Sequence, residues 1–453
     1  MRRLTEGNIW KNFLLFAIPM VLSGLLSQAY STIDTMIAGH YLEETGLAAI
    51  GATSSVITFV SSLLSGYLVG FGMYIARLFG EGAYNRLRRG VWMNLGLCAL
   101  VSILISAFAI FFADELMELL KVEYALREEA KKYFVIYTLG FCIFHVNAGA
   151  VFMLGSLGDT SFSFYMSVLS SVLNIGGNIF AVAVLKQGVA GIAWASVLSA
   201  AVTTVFFLLR FRRIFKKLLP DEKPLKWSFQ EVKIAVPYSI PPVFQQAALY
   251  AVGLLLSPMI NSLGESAIAS YVVSTQIMGL VSTMYFNSSR AVSNYTAQCL
   301  GTPFETEDKK RRLRKGIGVG LVQSMAFALV MLIPCLLFPE FIASVFFAEG
   351  SARESIDLTV FFLRVFLPFA LFNVVTNLFH GVFRAVKAKG FLLFSTVFSS
   401  AVRIAVSFPL TIAYGLDGFW AGMVIAWIAE VLMLAVVYRM NWWMPKDLRT
   451  AKE

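Results

Sequence analysis

The stretch that decides the class of fold is residues 90–113, GVWMNLGLCALVSILISAFAIFFA. It carries no charged side chain, and as an α-helix it is long enough to cross the roughly 30 Å hydrocarbon core of a bilayer. A bilayer offers the backbone no water to bond, so a spanning segment satisfies its own N–H and C=O groups. The stretch is therefore predicted to be a transmembrane helix.

The rest of the chain has the same character. Of 453 residues, 58% are hydrophobic and only 14% charged, with a mean hydropathy of +0.73; a soluble domain is typically about 25% charged. The alternation of polar and apolar residues that is typical of a membrane β-barrel is absent. The sequence thus predicts an all-α integral membrane protein with eleven further spans, at 13–37, 47–76, 133–155, 162–185, 188–210, 233–260, 266–298, 316–347, 358–382, 391–413 and 416–438.

The basic residues predict how the chain crosses the membrane. If the N-terminus is inside, inner segments hold 28 of the 37 Lys and Arg residues and outer loops hold 6. Such a bias predicts a multi-pass protein of the plasma membrane with both termini in the cytoplasm. The net charge of +10 is accordingly assigned to topology, and no nucleic-acid partner is expected.

A basic segment divides the chain almost in half. We predict an N-terminal six-helix lobe at 1–210, a cytoplasmic linker at 211–232, a C-terminal six-helix lobe at 233–440 and a cytoplasmic tail at 441–453. Each lobe has an even number of spans, so both enter the membrane in the same orientation and are related by an axis along the membrane normal. Two pseudosymmetric lobes are predicted to face a central cleft.

Matching motifs support this repeat. Ala17-Ile18-Pro19 recurs as Ala235-Val236-Pro237, at an offset of 218 residues. Later matches follow in the same order: Ser170-Ser171 with Ser399-Ser400, and Gly188 and Gly191 with Gly415 and Gly418. Two repeated lobes suit alternating access to a site between them, whereas an enzyme needs no such symmetry. The repeat favours transport over catalysis.

Only two acidic residues, Asp34 and Glu430, lie inside the predicted spans away from their ends. A carboxylate in hydrocarbon is costly, so it pairs with another group, meets water or takes up a proton. Asp34 follows Pro19 by about four helical turns, and a proline in mid-helix removes a backbone hydrogen bond. We predict that Pro19 is a hinge and Asp34 a cation-coupling residue. Glu430 could pair with a basic residue or face water.

Neutral polar residues complete the candidate sites. Asn174 and Asn178 are one turn apart in span 5, and with Ser196 in span 6 they could supply oxygens beside Asp34. The alternative role for them is interhelical hydrogen bonding. In the second half, amides are predicted to line the substrate cleft: Gln245, Gln246, Gln276, Asn287, Asn373 and Asn377.

Other chemistry is not indicated. The histidines His40, His145 and His380 have no metal-ligand spacing, and we expect structural roles for them. Walker motifs and a nucleophile elbow are absent, so neither an ATPase nor a hydrolase is predicted. We expect no metal site beyond a weak sodium site at Asp34, and no cofactor other than a coupling ion.

The order of motifs resembles the multidrug and toxic compound extrusion (MATE) family over nearly the whole chain, from Ala17 to about Tyr438. The motifs that carry the resemblance are Ala17-Ile18-Pro19 with Asp34 and Gly39, Gly46-Leu47-Ala48-Ala49-Ile50-Gly51, Gly158-Asp159-Thr160, Asn174 followed by Gly188-Val189-Ala190-Gly191, Pro237 to Gln245-Gln246, Gly264 to Ala269, and Gln298 to Gly301. The resemblance implies a secondary drug/cation antiporter whose two six-helix lobes form a V-shaped central cleft. It also implies a cation site in the N-terminal lobe around Asp34, which Asn174 and Ser196 would accompany.

Two positions depart from the family pattern. Many members have an aspartate where this chain has Asn178. Some sodium-coupled members have acids in spans 7 and 10, where this chain has Gln245 or Gln246 and no acid inside span 10. These departures leave Asp34 as the main coupling group.

The sequence thus predicts a secondary active multidrug exporter of cationic, amphipathic organic compounds, exchanged for protons or sodium by alternating access. The alternatives are a lipid-linked precursor flippase, which would have more spans and a more basic cleft, and a membrane-embedded lipid-modifying enzyme, which would need clustered His, Asp or Glu. The expected partners are small-molecule substrates and the lipid bilayer, and the expected state is a monomer. A single carboxylate among neutral oxygens favours protons over sodium, because burial favours its protonated form.

Overall fold

A computed structural model describes residues 3–42, 44–220, 229–347, 352–445 and 448–449. Within these ranges, the side chains at 31, 32, 34, 35, 38–40 and 44–47 fall outside the description. The statements below concern the described residues.

The chain folds into α-helices joined by short turns. The helices are α1 (Ile9–Tyr41), α2 (Glu44–Glu81), α3 (Tyr84–Phe111), α4 (Ala113–Leu119), α5 (Arg127–Leu139), α6 (Phe141–Ser156), α7 (Thr160–Ile179), α8 (Gly188–Leu218), α9 (Gln230–Asn261), α10 (Glu265–Gly301), α11 (Thr306–Leu337), α12 (Pro339–Phe346), α13 (Arg353–Val365), α14 (Ala370–Ala385) and α15 (Lys389–Arg439). Short 3-10 turns at Tyr124–Leu126 and Leu367–Phe369 and a π-helical turn at Phe180–Val184 complete them.

The number of membrane crossings agrees with the sequence prediction. In the described part of the chain, nine helices are long and apolar enough to span a bilayer, and two bent pairs raise the number to eleven. The pairs bend by 47° between α5 and α6 and by 41° between α13 and α14. Helix α15 adds one more crossing, because its backbone breaks at Gly415, with φ 59° and ψ −136°. The predicted all-α membrane fold is confirmed.

Gly415 also shows the internal repeat in the backbone. Its predicted counterpart Gly188 has φ +57°, close to the +59° of Gly415. Such backbone conformations are open to glycine and strained for residues with a Cβ atom. Each glycine therefore begins the sixth span of its half in the same way.

The described chain forms two compact units, whose bounds differ from the predicted division. The first unit comprises Met1–Arg3 and Leu22–Val243, and the second Leu4–Val21 and Phe244–Glu453. The start of α1 thus belongs with the second half of the sequence, and the start of α9 with the first.

Side-chain packing explains the assignment of α1. Phe13, Phe16 and Met20 are buried in one hydrophobic core of the second unit. The Phe13 ring lies edge-on to Tyr295, with 5.2 Å between centroids, and Gln323 Nε2 donates to the Trp10 carbonyl at 2.9 Å. Sequence order alone does not reveal such an exchange.

The start of α9 is anchored to the first unit in a corresponding way. Glu231 is buried, accepts a hydrogen bond from the Tyr74 hydroxyl and pairs with Arg86 at 3.3 Å. A Cβ atom at Gly70 would lie 2.4 Å from the Tyr238 carbonyl oxygen, so only glycine allows α2 to approach α9 this closely.

Candidate functional site: a polar cavity in each unit

The first unit contains two adjoining polar cavities, of about 160 and 310 Å³. Four of its spanning helices contribute to both. The shared lining residues are Ser27 and Tyr30 of α1, Asn147 of α6, and Ser170 and Ser171 of α7; Ser196 and Ser199 of α8 line the larger cavity. Apolar side chains such as Val151, Met166 and Phe144 complete the walls, and the polar groups among the described lining residues are neutral.

The three neutral residues predicted for the cation site lie together. Asn178 Nδ2 donates to Asn174 Oδ1 at 2.8 Å, and Asn174 Nδ2 donates to Ser196 Oγ at 3.0 Å. All three are buried. Ser196 lines the larger cavity, whereas Asn174 and Asn178 are not among the residues that line it. They also link α7 to α8, so interhelical bonding and a part in a site are both compatible with this geometry.

Asp34 lies in α1, one helical turn after Tyr30. Its side chain is outside the described residues, as is that of His40, so its role as a coupling group stays a prediction.

Asn147 was not singled out in the sequence. Its amide donates to Thr203 Oγ1 at 2.9 Å and Thr204 Oγ1 at 3.1 Å. It therefore joins α6 and α8 at the wall of the same cavity.

Pro19 lies inside α1, two residues before the helix passes from the second unit to the first. An alanine at this position would restore a hydrogen bond to the Leu15 carbonyl and favour a straight helix. We expect Pro19→Ala to slow turnover several-fold in proteoliposomes while substrate binding is largely kept. Pro334→Ala in α11, away from the boundary between the units, is the matched control. Wild-type turnover in Pro19→Ala would exclude a hinge at Pro19.

The second unit contains a cavity of about 180 Å³. Of the amides predicted for the substrate cleft, Gln245, Gln246, Asn373 and Asn377 line it. Gln276 is exposed, and the Asn287 amide donates to the Thr283 carbonyl of its own helix at 3.0 Å; neither lines this cavity.

A chain of hydrogen bonds crosses the wall of this cavity. Arg384 donates from a terminal guanidinium nitrogen to Gln245 Oε1 at 2.9 Å, and Gln245 Nε2 lies 2.9 Å from His380 Nδ1. His380 Nε2 lies 2.9 Å from the Glu430 carboxylate and 3.0 Å from Ser395 Oγ. If Gln245 donates to Nδ1, the Nε2–H tautomer of His380 donates to Glu430, while the Ser395 hydroxyl donates to the Leu392 carbonyl at 3.1 Å.

Two residues of this hydrogen-bonded chain, His380 and Arg384, were not assigned to a site by the sequence analysis. His380, for which a structural role is predicted, lines the cavity and is the partner of buried Glu430. Arg384 lies beyond the predicted span 358–382, whereas α14 continues to Ala385 and brings Arg384 to the cavity. A signal was available: Asn373, Asn377, His380 and Arg384 recur every three or four residues, which is the spacing of one helix face.

The cavities of the first unit and the cavity of the second unit occupy corresponding positions in the repeat. Ser170-Ser171 line the first and Ser399-Ser400 the second, and these pairs match in the sequence. The same offset of 229 residues relates Asn174 to Arg403. Among the described residues, the second unit thus has an arginine where the first has a buried neutral amide.

Fold and cavities together define a polytopic α-helical membrane protein with two repeated halves and an internal polar cavity in each. A protein-family model described as MatE matches residues 19–180 and 241–408. The chain belongs to this family of membrane transporters.

Curated relatives and solved structures are similar over nearly the full length. The probable multidrug resistance protein YoeA of Bacillus subtilis is 24% identical, covering 97% of this chain and 96% of its own. The multidrug export protein MepA of Staphylococcus haemolyticus is 23% identical, covering 96% and 95%. The structure of an outward-facing multidrug resistance MATE transporter aligns with a TM-score of 0.88 at 21% identity, covering 99% and 98%.

Proposed function

We propose that this protein is a secondary active exporter of amphipathic organic compounds, working by alternating access in the plasma membrane with both termini in the cytoplasm. Its membership of the MatE family supports this function. The drug-export names of its full-length relatives support the substrate class. The observation that carries the proposal is a polar cavity at repeat-equivalent positions in each unit, since repeated halves are typical of transporters that alternate around a site.

We assign the coupling ion and cationic substrates to the first unit. The polar groups among the described residues that line its larger cavity are neutral, and Asp34 is the acid in the core of α1. In the second cavity, Arg384 and Arg403 would repel an organic cation. A cationic compound and the coupling ion would then compete for one carboxylate, as antiport requires.

A proton fits this site better than sodium. Sodium needs several oxygens directed at it, preferably with more than one negative charge among them. Here Asn174 Oδ1 and Ser196 Oγ each already accept an amide hydrogen bond, and Asn178 stands where many family members have an aspartate. A single buried carboxyl group can instead bind and release a proton as its hydration changes.

The experiment imposes each gradient separately on liposomes that contain the purified protein and ethidium as substrate. With the membrane potential clamped, we expect a pH gradient to drive ethidium transport and a sodium gradient alone to drive none. Transport driven by sodium and insensitive to pH would reverse the ion assignment. Transport driven by neither gradient would contradict the exporter itself.

A further inference from the structure

We propose that the cavity of the second unit binds the carboxylate or phosphate group of an amphipathic anion between Arg384 and Arg403. This inference goes beyond the proposed cation-coupled export and does not depend on it, because binding at this cavity is measured without any gradient.

The first argument is the balance of charge. Arg384 and Arg403 both line the cavity, and neither has an acidic side chain within ion-pair distance in the described part of the chain. Glu430, the acid that lines it, is held by His380 at 2.9 Å. The cavity wall thus has one more positive than negative charge. An uncompensated charge at membrane depth is costly and marks a functional site by default.

The second argument is the set of unused donors. Arg384 bonds Gln245 through one terminal nitrogen, and its buried Nε has no partner among the described atoms. The buried Nε of Arg403 likewise has none, and its guanidinium carbon lies 5.6 Å from the centre of the Phe419 ring. A guanidinium offers Nε and a terminal nitrogen as a fork that matches the two oxygens of a carboxylate or phosphate.

The third argument concerns the body of the ligand. Leu249, Val252, Phe286 and Trp427 line the same cavity of about 180 Å³. An apolar ring or chain would pack against these side chains while its anionic group meets the arginines, as in most small-molecule sites. The expected ligand is therefore amphipathic.

The repeat shows that these charges are particular to the second unit. The offset that relates Gly188 to Gly415 relates Thr203 to Glu430, just as Asn174 corresponds to Arg403. Both residues of the first unit are neutral, so the shared architecture does not itself require the charged pair. A cavity in the same place with a different charge indicates a different ligand.

The test measures binding of 1-naphthoate by calorimetry to the full-length protein in phosphatidylcholine nanodiscs. We expect naphthoate to bind and 1-naphthylmethylammonium, of similar shape and opposite charge, not to bind. Arg384→Gln and Arg403→Gln should each weaken naphthoate at least about tenfold, the loss typical of a charge-assisted hydrogen bond. The matched control is Arg364→Gln, since Arg364 is exposed and pairs with Glu340 at 3.4 Å. The naphthoate affinity of this variant should equal that of wild type.

Further variants separate charge from folding. Arg403→Lys keeps the charge but loses the fork, so its affinity should fall between those of wild type and Arg403→Gln. Glu430→Gln removes the opposing charge and should tighten naphthoate. If all monodisperse variants bind naphthoate like wild type, or if the ammonium compound binds equally well, the proposal is overturned.

The source of the anion is distinguished by changing the lipid. Naphthoate affinity is therefore measured in phosphatidylcholine nanodiscs with and without phosphatidylglycerol for wild type, Arg364→Gln and Arg384→Gln. Competition that is present in wild type and Arg364→Gln and lost in Arg384→Gln supports a lipid headgroup as the natural occupant. Unchanged naphthoate affinity in phosphatidylglycerol supports a soluble anion at the same arginines.

Discussion

Replacing Asp34 by Asn is expected to abolish uphill export while the protein still folds. Asparagine has nearly the shape of aspartate but cannot bind and release a proton or neutralise a cation. Asp34 is one of two acids inside the predicted spans, and α1 places it one turn beyond the cavity residue Tyr30. Without this carboxylate, the cavity of the first unit would retain only neutral oxygens.

The measurement is ethidium transport by liposomes under an imposed pH gradient, where Asp34→Asn should give the signal of empty liposomes. Asp114→Asn is the matched control, because Asp114 is an exposed carboxylate paired with Lys131 at 2.6 Å, and it should transport like wild type. An elution profile like that of wild type would show that Asp34→Asn is folded. Uphill transport at the wild-type rate would remove Asp34 from the coupling mechanism.

The second large effect is expected at Gly418. A Cβ atom there would lie 1.9 Å from the Leu410 carbonyl oxygen and 2.3 Å from its carbon, both backbone atoms that cannot move aside alone. Gly418→Ala should therefore force apart the two arms of α15 on either side of Gly415, at a cost of about 3 kcal/mol or more. We expect a clearly lower thermal midpoint in detergent, followed by the loss of monodisperse protein on size-exclusion chromatography.

Gly318→Ala is the control for this prediction. Gly318 also lies inside a helix, but a Cβ atom there would meet nothing within 4 Å. Alanine is the better helix former by about 1 kcal/mol, so Gly318→Ala should leave the midpoint unchanged or raise it. Equal midpoints for the two variants would mean that the approach of Leu410 to Gly418 does not limit stability.

The helices of the chain follow directly from local sequence. Residues 90–113 lack charge and lie within α3 and the start of α4. Gly188 and Gly415, paired through the repeat, share a positive φ angle that favours glycine. Such features depend on the hydropathy of a segment and on the backbone conformations open to a single residue. Both are local properties that can be read from the sequence.

Part of the candidate site in the first unit was likewise predictable from the local sequence. Asn174 and Asn178 are one helical turn apart, so their hydrogen bond is predictable from helix geometry. Ser196 was a correct partner because span 6 follows span 5 directly, and consecutive helices commonly pack together. The pairing of His380 with Glu430 in the second unit has no comparable local signal, because the two residues are separated by 50 positions.

By itself, the sequence determined that this protein is a helical membrane protein with two repeated halves, because membrane insertion responds to segment length, apolar surface and the distribution of charge. It also carried the motifs of the transporter family to which the chain belongs. Only the tertiary structure decided that the start of α1 packs with the second unit and that Arg384, Gln245, His380 and Glu430 form one hydrogen-bonded chain. Contacts of this kind depend on which helix faces meet. That choice is made by packing over the whole unit, so no local pattern specifies it.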